Sequence, residues 1–306
     1  MNKKAFTYTT VSLIALAVVF SFLSSQQLRA RYSYTSITTK LLSDSLNDFH
    51  NSVISDLKKT VEVSMGRALI ACLNDVITTG SPIPNPELNL SELIVNGTYN
   101  HTMHPLMENN TITYWLDSMN QKSNELGFET SMFLENPAIS QKDSFNILVS
   151  FNISINASNR AGTINISRTF EQQVPVSIIG FEDPMYPLNT YGRLKRVITK
   201  NVTSGFDLAE LQDFFANRNY APGYGPSFLD RLAGRTYNTY SGAGLESFVD
   251  LQEIQSYEIE IKPTQTLIDF LYFNTSLIPG DTVTGFTPAW FRIDDLYNHK
   301  SYYGIT

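Results

Sequence analysis

One cysteine, two tryptophans and four histidines in 306 residues leave this chain short of the side chains that most site chemistry is built from. A lone Cys72 makes no intrachain disulfide, so the fold must rest on its core and not on covalent staples. Lying beside Leu69 and Leu73 in a helical pattern, its thiol reads as buried and inert, with an intermolecular bridge as the alternative. Excess positive charge is missing too, with 22 Lys and Arg against 29 Asp and Glu. The deficit lies in 81–306, where 14 basic residues stand against 24 acidic ones. Such a surface repels nucleic acid and suits solubility at a cell surface.

Catalytic motifs are equally scarce. His101-Thr102-Met103-His104 brings two imidazoles near one another but has no glutamate in the zincin position. Ser227 in Gly225-Pro226-Ser227 lacks the trailing glycine of a nucleophile elbow. Gly242-Ala243-Gly244 lacks the third glycine of a dinucleotide loop. Glu182-Asp183 and Asp294-Asp295 are adjacent acids in turns, expected to be solvated, with calcium binding as the minor alternative. The sequence therefore assigns no catalytic, cofactor-binding or metal residue, and an exported hydrolase is the third of three functional readings.

What the chain does have is a run of 24 uncharged residues, Ala5 to Leu28, after Lys3 and Lys4, with its most apolar part from Val11 to Leu23. A bilayer core is crossed by ~20 predominantly apolar residues in a helix. The expectation is a single membrane span at 1–28, a short cytoplasmic leader, and the rest of the chain outside the plasma membrane. Arg29 and Arg31 nearly balance the two lysines, so orientation rests on the shortness of the leader. A cleaved secretory signal fits poorly, because the apolar stretch is long and Phe22-Leu23-Ser24-Ser25 has no small-x-small site. A plain signal anchor fits the length.

The start KKAFTYTTVSLIALAVV resembles the amino terminus of type IV pilins and pseudopilins: a short basic leader, a small residue, then Phe-Thr opening an apolar helix. The resemblance, confined mainly to residues 3–23, implies cleavage between Ala5 and Phe6 by a prepilin peptidase. It also implies self-assembly through the helix that remains. Thr10 stands where the family carries a glutamate, as in archaeal relatives that lack it.

From Arg31 to Thr79 apolar residues recur mostly four apart, at Leu41, Phe49, Val53, Leu57, Val61, Met65, Leu69, Leu73 and Val76 among others. This predicts one long amphipathic helix or stalk at 29–80, stopped by Gly80-Ser81-Pro82, or two helices broken near Ser33–Thr39. Unbroken, its 49 residues would span roughly 74 Å. Its second half is expected to pack on the protein's own core. Composition then shifts, with a stiff connector at 81–86 and a helix expected over Thr111–Leu126. Phe145 to Asn156 alternates strictly, and Ile164–Ser167 returns after a polar turn, which predicts an antiparallel hairpin with one buried face. The helix around Phe49–Val76 is the layer expected to cover that face.

Nine N-x-S/T sequons, at Asn89, Asn96, Asn100, Asn109, Asn152, Asn156, Asn165, Asn201 and Asn274, are candidate glycosylation sites in an exported setting. Beyond 180 the chain is tyrosine-rich and turn-dense. Short helices are expected at Asp207–Phe215, Pro226–Leu232 and Leu245–Leu251, and strands at Tyr257–Ile261, Thr266–Phe273 and Trp290–Ile293. IIGFEDPMYPLNT and GPSFLDRLAG faintly resemble exported archaeal proteins of unassigned role. Clustered tyrosines either cover a loop-rich core or form a surface for a glycan or protein.

The fold class is thus α+β: a transmembrane helix continuing into an amphipathic one, then a mainly antiparallel β extracytoplasmic domain with short helices, its parts at 81–180 and 181–306. The leading functional reading is a membrane-anchored surface protein with a structural or adhesive role. The alternative is a surface receptor that never polymerises.

Overall fold

The computed structural model describes residues 3–99, 101–200 and 205–305, with the side chains of 3–15, 28–36 and 38 outside that description. Its first element, α1 (Lys3–Thr79), is one helix with no break at Ser33–Thr39. α2 (Pro86–Asn96), the short antiparallel pair β1 (Thr98–Tyr99) and β2 (Thr102–Met103), and α3 (Ile112–Glu125) follow. Three long strands come next: β3 (Phe128–Asp143), β4 (Asn146–Asn159) and β5 (Asn165–Ser177), in sheet order β3-β4-β5. The remainder is short elements: α4 (Met185–Asn189), α5 (Leu208–Ala216), β6 (Ala221–Gly223), α6 (Phe228–Leu232), β7 (Gly244–Glu246), α7 (Leu251–Ser256), α8 (Asp269–Tyr272), β8 (Asp281–Thr282), β9 (Arg292–Ile293) and α9 (His299–Tyr302). The architecture is α+β with antiparallel pairing. Among the described residues, no helix is long and apolar enough to cross a membrane. The side chains of 5–15 and 28 of the apolar run lie outside them.

The trace forms two compact units. One comprises Met1–Ser55, Asn120–Ser131 and Ile155–Arg168; the other comprises Asp56–Met119, Met132–Ser154 and Thr169–Thr306. In the first, Leu46 of α1, Phe128 of β3 and Ala157 of β4 form an apolar cluster against which Phe49, Ile164 and Ile166 pack. The Phe49 and Phe128 rings lie 5.9 Å apart. The apolar face of the hairpin thus meets α1, as its alternation requires of a one-faced sheet. The turn between β4 and β5 is built by Asn159, whose Oδ1 accepts from the Thr163 and Ile164 N–H groups at 2.9 and 3.0 Å.

In the second unit the α1 stripe of Leu57, Val61, Met65, Leu69 and Val76 is fully buried, and so are Ile147, Val149 and Ile153 of β4. Burial alternates residue by residue along β4, as the sequence repeat demands. Gly80 ends α1 at φ +65°, its N–H bonding the Val76 carbonyl at 2.9 Å. Gly97 ends α2 at φ +77°, and a Cβ there would lie 2.9 Å from Thr111 Cγ2, so no other residue fits without displacement. α5 opens with a reciprocal cap: Asp207 Oδ1 accepts the Glu210 N–H at 2.8 Å, and Glu210 Oε2 accepts the Asp207 N–H at 3.0 Å.

Several expectations fail. Pro86 lies not in a connector but at the start of α2, where its fixed φ suits the first helical turn. β3 carries Pro137 and Asn136, the latter at φ +52°, and this irregular polar strand gives no two-residue repeat to read. Tyr257–Ile261 contains no strand, and Thr266–Phe273 contains the helix α8. Leu245–Leu251 holds the end of β7 and only the first residue of α7. Thr266–Phe273 and Leu245–Leu251 are largely buried on both sides, so their apolar runs carry no period that separates helix from strand, whereas Tyr257–Ile261 is exposed or half-buried along its length.

Candidate functional site

The residues nominated from the sequence are scattered. Ala5 and Phe6 lie within α1, their side chains outside the described set, and Asn100 and Asn201 lie outside the described residues altogether. Asn96, Asn109, Asn156 and Asn165 are exposed, while Asn89, Asn152 and Asn274 are half-buried. The sequon hydroxyls are partly engaged. Thr98 donates to Glu92 at 2.6 Å, Ser167 to Asn156 Oδ1 at 2.5 Å, and buried Thr111 accepts the Tyr114 N–H at 3.1 Å. His101 and His104 have separate tasks. His101 sits exposed at φ +62°, and His104 Nδ1 accepts the Leu106 N–H at 3.2 Å. Among the described residues, no three His, Cys, Asp or Glu side chains are placed to hold a metal ion.

The two acid pairs are the larger correction, because one member of each is not solvated. Asp183 is fully buried, and its Oδ2 accepts from Arg231 Nη1 at 2.5 Å and from the Tyr220 hydroxyl at 3.0 Å. Arg231 Nη1 also reaches Asp269 Oδ2 at 2.8 Å, Nε donates to the Pro226 carbonyl at 3.1 Å, and Nη2 donates to the Leu245 carbonyl. The network continues from Asp269 through Ser247 (2.7 Å) and the Tyr186 hydroxyl (3.0 Å) to Arg196 Nη1 (2.6 Å). Arg196 Nη2 then pairs with Glu253 at 2.7 Å. The two stretches that resemble exported archaeal proteins thus meet through one ion pair, Asp183 from the first and Arg231 from the second. Burial pushes the Asp183 carboxyl up, Arg231 pulls it down, and Asp269 beside it pushes it up again; the net direction is upward.

A second buried charge cluster surrounds His299. Its Nδ1 lies 2.9 Å from Asp294 Oδ1, and Asp294 Oδ2 accepts from Thr266 Oγ1 at 2.7 Å. Its Nε2 is 3.5 Å from Glu246 Oε1, close enough for charge attraction but long for a hydrogen bond. Burial disfavours the charged ring, yet the contacts with Asp294 and Glu246 outweigh it and push His299 up to about 9. Burial likewise pushes Asp294 up, but the bonds from His299 and Thr266 outweigh that and hold its carboxyl below the ordinary range. Glu246 Oε2 is in turn held by the Tyr303 hydroxyl at 3.0 Å. Arg231, Asp183 and Asp269 have no solvent access, so this is a scaffold of ion pairs and offers no surface to a reactant.

Space for a ligand lies elsewhere. A cavity of 230 Å³ is lined by Cys72, Asp75 and Thr78 of α1, Leu93 of α2, Tyr99 of β1 and His104. The α1 members recur on one helical face at i, i+3 and i+6, which aligns their side chains toward α2 and β1. Sequence reasoning passed over Asp75 and Tyr99. The available signal was a carboxylate set inside the apolar stripe, between Leu73 and Val76. No family model matches this chain, and neither a curated protein nor a solved structure matches it.

Proposed function

We propose that this chain is a membrane-anchored cell-surface protein with a structural or adhesive role, a pilin-like subunit cut between Ala5 and Phe6. The observation that carries the reading is the state of α1 before its buried stripe begins. Leu16, Val18, Val19, Phe20, Phe22 and Leu23 are each 53–64% exposed, and Ile37 and Leu41 follow them on the outside. Scattered exposed leucines are ordinary, but six large apolar side chains within eight residues mark a surface meant for lipid or for neighbouring helices. An apolar helix that packs on nothing of its own is what a membrane anchor or filament core requires. Exposed Asn156 and Asn165 on the sheet, with Asn96 and Asn109, are the sequons best placed to carry glycans.

Mass spectrometry of the mature amino terminus is the direct test. A terminal peptide beginning at Phe6 is expected, and an intact Met1 would refute processing of this type. The alternative, a surface receptor that does not polymerise, draws support from one feature. Tyr224 and Tyr297 are 57% and 53% exposed and stacked, ring centroids 5.1 Å apart at 18°, a flat aromatic face suited to a sugar or protein.

A further inference from the structure

The cavity beside Cys72 contains one negative charge without a counterion. Asp75 is half-buried, and among the described residues no Lys, Arg or His nitrogen comes within 4.0 Å of its carboxylate. Arg67, the last basic residue of α1, is turned instead to the Leu106 carbonyl at 3.3 Å. A carboxylate drawn partly out of water is costly unless something compensates it. Tyr99 lines the cavity with it, and a neutral phenol there leaves the charge in place.

Cys72 and Tyr99 stay neutral and, with His104, define the chemistry of the cavity. Burial, then Asp75, pushes Cys72 up to about 12, so the thiol is no second anion. Burial, then Asp75, also pushes Tyr99 up to about 12, so its proton remains on the oxygen. His104 uses Nδ1 as an acceptor for the Leu106 N–H, so Nε2 bears the ring proton. Coordinating a metal through Nε2 would force the proton onto Nδ1, against that N–H. The site therefore disfavours a metal ion and favours a cation that donates hydrogen bonds. Leu93 and the Tyr99 ring supply the apolar and aromatic wall against which an alkylammonium body is stabilised. At 230 Å³ the cavity falls below the ~300–1,000 Å³ of drug-sized pockets, so the occupant is small.

We infer that this cavity binds a small organic ammonium ion, held by its charge on Asp75 and by its apolar body against Leu93 and Tyr99. The test uses the full-length chain in detergent, with cyclohexylammonium and its neutral counterpart cyclohexanol as probes, titrated by NMR. The ammonium binds saturably and about tenfold more tightly than the alcohol, the margin set by a charge-assisted hydrogen bond. Asp75→Asn brings the ammonium to the level of the alcohol, while Tyr99→Phe, which keeps the ring, leaves the preference for the ammonium intact. Equal affinity for the two probes on the unaltered chain overturns the inference without any variant having to fold. So do a failure to saturate and an ammonium affinity unmoved by Asp75→Asn in a chain with unchanged circular dichroism.

Discussion

Along α1, Leu57, Val61, Met65 and Leu69 lose all their surface to neighbours with no charge among them. In the C-terminal half, Arg231, Asp183 and Asp269 are just as deeply buried and are all ionisable. The first core gains from each methylene removed from water, at about 25 cal/mol per Å², and tolerates any side chain of the right volume. The second gains little net energy from its pairs, because desolvation offsets most of their attraction. What it has is specificity, since its charged atoms are held by defined partners: Asp183 Oδ2 by Arg231 and Tyr220, and Asp269 Oδ2 by Arg231 and Ser247. The difference teaches that equal burial can mean opposite sensitivity: one core responds to volume, the other to the loss of a single charge.

The largest effect should come from Arg231→Leu. It leaves Asp183 and Asp269 facing each other in a dry interior, and a loss of about 3–5 kcal/mol is expected in denaturant melts. If the variant instead unfolds at the parent midpoint, the polar core is not what holds this half together. Leu69→Ala probes the other side of the comparison and should cost about 3 kcal/mol through lost transfer energy and the cavity left behind. A second substitution, Leu69→Met, should recover most of that, whereas Arg231→Lys should recover little, because a point charge cannot replace the fork that Arg231 presents.

The smallest effect sharpens the comparison through pH. His299 is raised above its unfolded value of 6.5 to about 9. Its folded form therefore binds the proton more tightly than the unfolded chain, so the stabilisation is complete below about 6.5 and is lost as pH rises through 9. His299→Gln should cost roughly 2 kcal/mol at pH 6 and remove the alkaline decline in stability between pH 6.5 and 9. Melts at pH 6, 7.5 and 9 check both statements; parallel losses in parent and variant would assign the decline to other groups. The apolar core should show no such slope.

The same contrast explains what could be read from the residues. β4 and the second half of α1 announce themselves because period and burial coincide: Ile147, Val149, Phe151 and Ile153 alternate, and Leu57, Val61, Met65 and Leu69 repeat every four. Asp183 gives no local sign of burial, because the group that permits it stands 48 residues away. Glu182 beside it is half-buried, so the adjacent acids share a turn but not an environment. His299 is likewise unremarkable in Asn-His-Lys until Glu246 and Asp294 close around it. The cavity at Asp75 was hidden for a related reason. A single acid in an apolar stripe looks like a tolerated imperfection until Tyr99 and His104 arrive from other elements.

The spacing of the buried charges also sets a timetable. As the chain is made, Asp183 emerges 48 residues ahead of Arg231, and Arg231 emerges 38 ahead of Asp269. Tyr240 reaches back 153 residues to Glu87, at 2.5 Å. Contacts of such separation close slowly, because loop entropy is spent before any of them forms. The hairpin of β4 and β5 can settle early, but each early carboxylate must wait in water for a counterion not yet synthesised. The C-terminal half is therefore expected to become native late, and a chain truncated before Asp269 should remain a substrate for proteases and chaperones while its hairpin is already in place.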